Sequence, residues 1–191
     1  MRLADATKAV RAGGEMAIKN HADSIDLAAR LFIGLKPGSP RFDVSWDGRV
    51  LRTATEAYVL LHEIAHYQLA SPAQRCRVDF GLGPGPETGD RDRATRAQCL
   101  FGLAREREEA MASLLGILWE AELGHPALAS LLDQNWLEGA GRSSAAVYFA
   151  DAFAALVAGG FVDRVGRPQM QLRRSGDVQA ASPAGVASFA G

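Results

Sequence analysis

The sequence predicts a mainly helical α+β fold, in which a small antiparallel hairpin packs against a buried helix and several further helices complete the domain. Three observations carry that expectation. Residues 2–33 and 93–123 read as long helices. Asp47-Gly48 separates two short runs in which polar and apolar residues alternate. Residues 53–70 are apolar nearly all round, the mark of a helix buried on every side. The chain has 191 residues, 48% of them hydrophobic and 23% charged, which suits one well-buried domain better than two. We therefore read residues 1–175 as a single domain, with 41–120 as its core and 126–172 as a helical extension. Residues 176–191 are small and polar and read as a disordered tail.

Taken in order, the first helix has a weak point at Gly13-Gly14. Lys36-Pro37-Gly38-Ser39-Pro40 is a loop. Arg41–Trp46 and Arg49–Arg52 flank Asp47-Gly48, a strong hairpin signal because both turn positions need positive φ. The next helix begins at Thr53, which with Glu56 has the spacing of a capping box, and it stops at Ser71-Pro72. Residues 81–92 hold four Gly and two Pro and form a loop. The long helix ends at Gly124-His125-Pro126, another spans 126–137, and a further one spans 143–158. Phe161–Leu172 has the outline of a second short hairpin around Gly166-Arg167-Pro168.

Composition excludes several classes of function. A formal net charge of −1 argues against a protein whose main task is to hold nucleic acid through its phosphates. Two cysteines are too few for a disulfide scaffold and read as free thiols. The first residues lack the apolar stretch of a signal peptide. The longest weakly polar run, Ala145–Val162, carries Asp151 and Gly159-Gly160, so it reads as a buried helix and its end, with no membrane span. A cytoplasmic location is the resulting expectation.

One motif is sharp. His62-Glu63-Ile64-Ala65-His66 is an H-E-x-x-H sequence. Residues four apart share a helix face, so both imidazoles can reach one ion. Glu63, one residue on, then stands beside the open coordination position, where it can take a proton from zinc-bound water. This is the zinc hydrolase arrangement, with one Zn²⁺ per chain. Two His and a Glu inside an apolar helix are costly to bury singly, and a metal accounts for all three.

Such a site needs a third protein ligand. His66 is followed by Tyr67-Gln68-Leu69-Ala70-Ser71-Pro72, which excludes a nearby third His. The long helix supplies carboxylates instead. At 100° per residue, Glu109 shares a stripe with Gly102, Ser113 and Gly116, small residues that let a second helix come close. Glu108 shares its stripe with Phe101, Ala104, Leu115 and Trp119. Glu106 lies near Cys99, Leu103 and Ala110. Glu109 is favoured, with Glu108, Glu106 and His125 left open.

With these residues in place, the sequence resembles a gluzincin-type metallopeptidase of the ImmA/IrrE type, whose H-E-x-x-H is followed downstream by E-x-x-A-[ND]. Glu109 and Ala112 match that second pattern, and Ser113 departs from it. The resemblance spans roughly residues 40–120. It implies a zincin-like core and a zinc-dependent endopeptidase that cleaves a specific protein or peptide partner, in the setting of mobile elements or stress responses. By that resemblance His62, His66 and Glu109 are metal ligands and Glu63 is the general base. The alternative is a non-catalytic zincin-fold regulatory or binding protein.

Several lesser readings accompany the motif. Tyr58, Tyr67, His125 and Tyr148 could donate to a developing oxyanion. Strand 41–46 or 49–52 could hold an extended peptide by β-augmentation, or simply cover the site. His125 is expected to cap a carbonyl and His21 to be exposed. Trp119 and Trp136 are expected in the core. Arg164, Arg167, Arg173 and Arg174 lie on a segment shaped like a winged-helix wing, which we read as a packing module.

Overall fold

In a computed structural model, residues 3–128 and 143–174 are described, with side chains described from 13 to 128 and from 150 to 174. In chain order the elements are α1 (Leu3–Arg30), β1 (Leu35–Lys36), β2 (Leu51–Arg52), α2 (Ala57–Leu69), α3 (Pro72–Arg75), α4 (Arg91–Ala97), α5 (Gly102–Leu123) and α6 (Ser143–Ala158). The fold is mainly helical, as the sequence predicts. Residues 129–142 and 175–191, which include most of the expected 126–137 helix, Trp136 and the expected tail, lie outside the described residues, as does the side chain of Tyr148.

Helix α1 buries Asn20, Ser24, Leu27 and Ala28, a single stripe at helical spacing that Leu31 continues just past its end. Gly13-Gly14 does not interrupt it. No neighbour comes within 4 Å of where their Cβ atoms would lie, so they weaken the helix only through their low propensity, about 1 kcal/mol each.

The sheet corrects the sequence reading. It is parallel, with Leu35 opposite Leu51 and Lys36 opposite Arg52. The chain does turn at Asp47-Gly48, but with positive φ at Gly48 alone, 96°, and not at Asp47; the Asp47 carboxylate accepts from Arg49 N and Val50 N at 3.0 and 2.9 Å. Antiparallel pairing beyond it is limited to a bridge between Trp46 and Leu51. The reason lies upstream, where the Ser39 hydroxyl and Pro40 start a 3₁₀ turn over Pro40–Phe42 that takes those residues out of extended geometry. Residues 51–53 pair instead with 34–36, as Leu51 N donates to Gly34 O at 2.8 Å and Thr53 N to Lys36 O at 3.1 Å. Gly34 permits this, because a Cβ there would lie 2.6 Å from the Arg49 carbonyl oxygen.

Helix α2 starts at Ala57, later than Thr53, and Glu56 is its N-cap without a side-chain bond. Thr53 is committed elsewhere: its N–H donates to Lys36 O at 3.1 Å and its carbonyl lies 2.7 Å from His21 Nε2. His21 is therefore half-buried, against expectation. The capping box belongs to Ser71 and Gln74 at the start of α3.

The expected 93–123 helix is two helices. Between them Cys99 N and Leu100 N both donate to Gly81 O, at 2.8 and 3.1 Å, and this long-range pairing diverts the backbone before α5 begins. Helix α5 ends where expected, at Gly124 with φ 74°. Beyond α6, the second hairpin is present in minimal form, with Asp163 N donating to Arg167 O at 2.9 Å and Gln169 N to Phe161 O at 2.7 Å.

The core lies where α2 packs along α5, with α1 against α2 and α6 against α5. Leu60, Leu61, Ile64, Leu69 and Leu115 are fully enclosed there. Gly116 sets the closeness of the two helices, because a Cβ on it would lie 3.2 Å from His62 Cα. No helix among the described residues is long and apolar enough to cross a membrane.

Candidate metal centre

Helix α2 presents His62 and His66 on one face, and α5 brings Glu109 across to them. The two Nε2 atoms are 3.0 Å apart. Glu109 Oε2 lies 3.7 Å from His62 Nε2 and 3.3 Å from His66 Nε2. The site fits a metal ion by its donor set and by its size. Two ligand atoms each about 2.0–2.1 Å from an ion at tetrahedral angles are about 3.3 Å apart, and the three separations straddle that value. Gly116 beneath His62 and Ser113 beside it let the helices approach this closely, as the small-residue stripe predicts. Gly102 makes no such contribution: it is exposed at the start of α5, and a Cβ on it would meet nothing within 4 Å.

The electrostatics follow from packing charged groups together away from water. Burial alone would lower His62, but the carboxylates of Glu109 and Glu63 outweigh it and leave its pKa raised. Burial and the neighbouring His62 push His66 down. Burial works to raise Glu109, yet the two imidazoles hold its carboxyl far below the usual carboxylate range. Glu63 is pushed up to about 8, chiefly by burial and further by Asp79 and Glu109. The neighbouring His62, and to a lesser extent Ser45, work the other way.

His62, Glu63, His66 and Glu109 line a cavity of about 410 Å³, closed on the far side by Ser45, Phe80 and the Gly/Pro-rich loop up to Thr88. The Phe80 ring stacks on His66 with centroids 5.8 Å apart, and on Trp46 at 5.4 Å. Asp79 ties this wall together. Its N–H donates to Trp46 O at 2.9 Å, its Oδ1 accepts from Trp46 N at 3.0 Å, and its Oδ2 accepts from Thr88 Oγ1 at 2.9 Å. Asp79 and Phe80 both adopt left-handed φ, 42° and 54°, a local strain that these bonds hold in place. The strand edge that could have received a peptide is thus already paired, at Trp46, by the chain's own loop.

The other candidates separate cleanly. Glu108 is buried away from the imidazoles, accepting from Gln74 Nε2 at 3.1 Å with Arg173 Nη1 at 3.8 Å. Glu106 is exposed. His125 does not cap a carbonyl through its ring; its Nε2 pairs with Asp23 Oδ2 at 3.0 Å, outside the cavity. Tyr58 lines the cavity, whereas Tyr67 packs against Trp46 and beneath Arg75. Arg173 is turned inward to Glu108, away from the wing surface. Cys76 and Cys99 are free thiols outside the donor cluster. Asp79, Phe80 and Ser45 carry no motif, and only the turn-rich composition of residues 81–92 hinted at a loop beside the site.

Fold and site together define a helical protein with a His/His/carboxylate donor cluster at the wall of a cavity that also holds a second glutamate. Compared with known proteins, the chain matches no family model, no curated protein and no solved structure.

Proposed function

We propose that the protein is a zinc-dependent metallopeptidase that hydrolyses a peptide bond in a specific protein partner. The single observation that carries this reading is the triangle of His62 Nε2, His66 Nε2 and Glu109 Oε2 with Glu63 in the same cavity. The likeness of the H-E-x-x-H and E-x-x-A segments to the ImmA/IrrE type, and with it a zincin-like core, supports the same reading.

His62, His66 and Glu109 would hold the ion. A zinc ion there supplies Lewis-acid chemistry, polarising a carbonyl and acidifying water. Glu63 is the proton carrier of the site: its carboxylate takes a proton and delivers it to the departing amine. With Glu63 pushed up to about 8 by burial, the carboxyl holds a proton at pH 7. A dication nearby favours its ionised form and brings it toward the range in which a base works. Tyr58, which lines the cavity one turn before His62, is the candidate donor to a developing oxyanion.

A second reading, a non-catalytic zincin-fold protein that acts by docking, is favoured by one observation: the strand edge beside the cavity is already paired to Asp79. Elemental analysis and a peptide-library cleavage assay separate the two. Wild type is expected to carry about one zinc, lost in His62→Ala and in Glu109→Ala. Glu63→Gln should keep the zinc and lose cleavage; equal cleavage by Glu63→Gln and wild type would remove Glu63 as the base. Zinc without cleavage of any library member would favour the docking protein.

A further inference from the structure

A metal-bound imidazole is normally braced by an acceptor on its second nitrogen, most strongly a carboxylate, and losing such a brace costs about 10–100-fold in metal affinity. In this protein each of the three donors is poorly braced. His62 Nδ1 faces only the neutral hydroxyl of Ser113, at a long 3.4 Å. His66 Nδ1 is buried and has no hydrogen-bond partner among the described residues. When Nε2 is the ligand, Nδ1 carries the proton, so that N–H would be left without an acceptor in an enclosed place. Glu109 offers Oε2 to the imidazoles, but its Oε1 lies 3.8 Å from Arg105 Nε, a cation that competes for the carboxylate's charge.

The donor triangle itself is well formed, since Gly116 presses α5 onto the His62 backbone. First-contact geometry is therefore right while the support behind it is thin. We propose that this is a labile metal centre, held about 10–100-fold more weakly than a braced His/His/Glu site, so that its occupancy follows the metal supply. This rests on the metal reading of the site given above. The protein would be switched on by available zinc and released by its withdrawal, with the unbraced imidazoles and Arg105 setting the threshold.

The test is zinc affinity, measured by competition with a chromophoric chelator on the full chain, with thermal melting to confirm folding. Ser113→Ala is expected to bind zinc within about threefold of wild type, because the hydroxyl contributes little at 3.4 Å. Ser113→Asp is expected to tighten binding by about tenfold or more, by giving His62 a carboxylate brace. Arg105→Gln is expected to tighten it severalfold. A loss of tenfold or more in Ser113→Ala, or unchanged affinity in both Arg105→Gln and a folded Ser113→Asp, would overturn the proposal. If the added carboxylate prevents folding, Ser113→Ala and Arg105→Gln decide. Wild type that binds zinc no better than His62→Ala would instead overturn the metal reading itself.

Discussion

Glu108 and Glu109 are adjacent on α5 and meet different surroundings. Glu109 reaches two imidazoles, whereas Glu108 is buried beside Gln74 and Arg173, and burial pushes it up to about 7. The consequence for stability has a definite sign. Its native pKa lies above the ordinary value of 4.5, so the native state favours the protonated form. That contribution is complete below pH 4.5 and is lost as pH rises through about 7. Glu108→Gln keeps the shape and cannot ionise. Urea unfolding should therefore show wild type losing stability relative to Glu108→Gln between pH 5 and pH 8, by at most about 3 kcal/mol. Parallel pH profiles for the two proteins would contradict the assignment. Glu109 was distinguishable from its neighbours in the sequence because the small residues Ser113 and Gly116 share its stripe. The burial of Glu108 was foreshadowed only by the apolar residues on its own stripe, and its partners Gln74 and Arg173 come from distant parts of the chain.

At the scale of elements, the contact between α2 and α5 depends on Gly116. A methyl group there would meet His62 Cα and N at 3.2 and 3.3 Å, backbone atoms that cannot swing aside. Gly116→Ala should cost about 1–3 kcal/mol by overpacking and weaken zinc binding as well, because the strain falls on a ligand's own backbone. Unchanged melting and unchanged zinc affinity would mean that the helices yield more easily than the packing indicates. The wall opposite depends on the clamp between Asp79, Trp46 and Thr88. Asp79→Ala removes two side-chain bonds and their hold on a strained turn. Amide exchange in residues 77–89 should then accelerate by an order of magnitude or more, while α1 stays protected. The sequence marked 81–92 as a loop, since Gly and Pro declare themselves locally. It did not show that Asp79, just before that loop, pairs with Trp46, because that pairing joins residues 33 positions apart.

Across the whole molecule, the chain after α6 returns to brace the helices that carry His62, His66 and Glu109. Gln68, fully buried on α2, donates to Gln169 O and Gln171 O, each at 2.9 Å, and accepts from Trp119 Nε1 on α5 at 2.7 Å. Arg173 N donates to Gln68 O at 2.9 Å, and Arg75 holds the Arg173 carbonyl at 2.8 Å. Gln68→Leu fills a similar volume and satisfies none of these groups, leaving a buried indole N–H and two carbonyls unpaired. Chemical denaturation should show a loss of about 2–4 kcal/mol. A loss below about 0.5 kcal/mol would show that the returning segment is not part of the cooperative unit. The sequence by itself determined what local periodicity and turn chemistry control: helical elements on both sides of residue 50, the turn at Asp47-Gly48, the shared face of His62 and His66, and the stripe that carries Glu109. Only the tertiary structure decided the partner of β2, the split of the long helix at Gln98–Phe101, the sealing of the strand edge by Asp79, and the anchoring of the last segment on Gln68. Each of these is a choice among distant groups with equal local merit, decided by which pairing satisfies the backbone N–H and C=O groups that it buries.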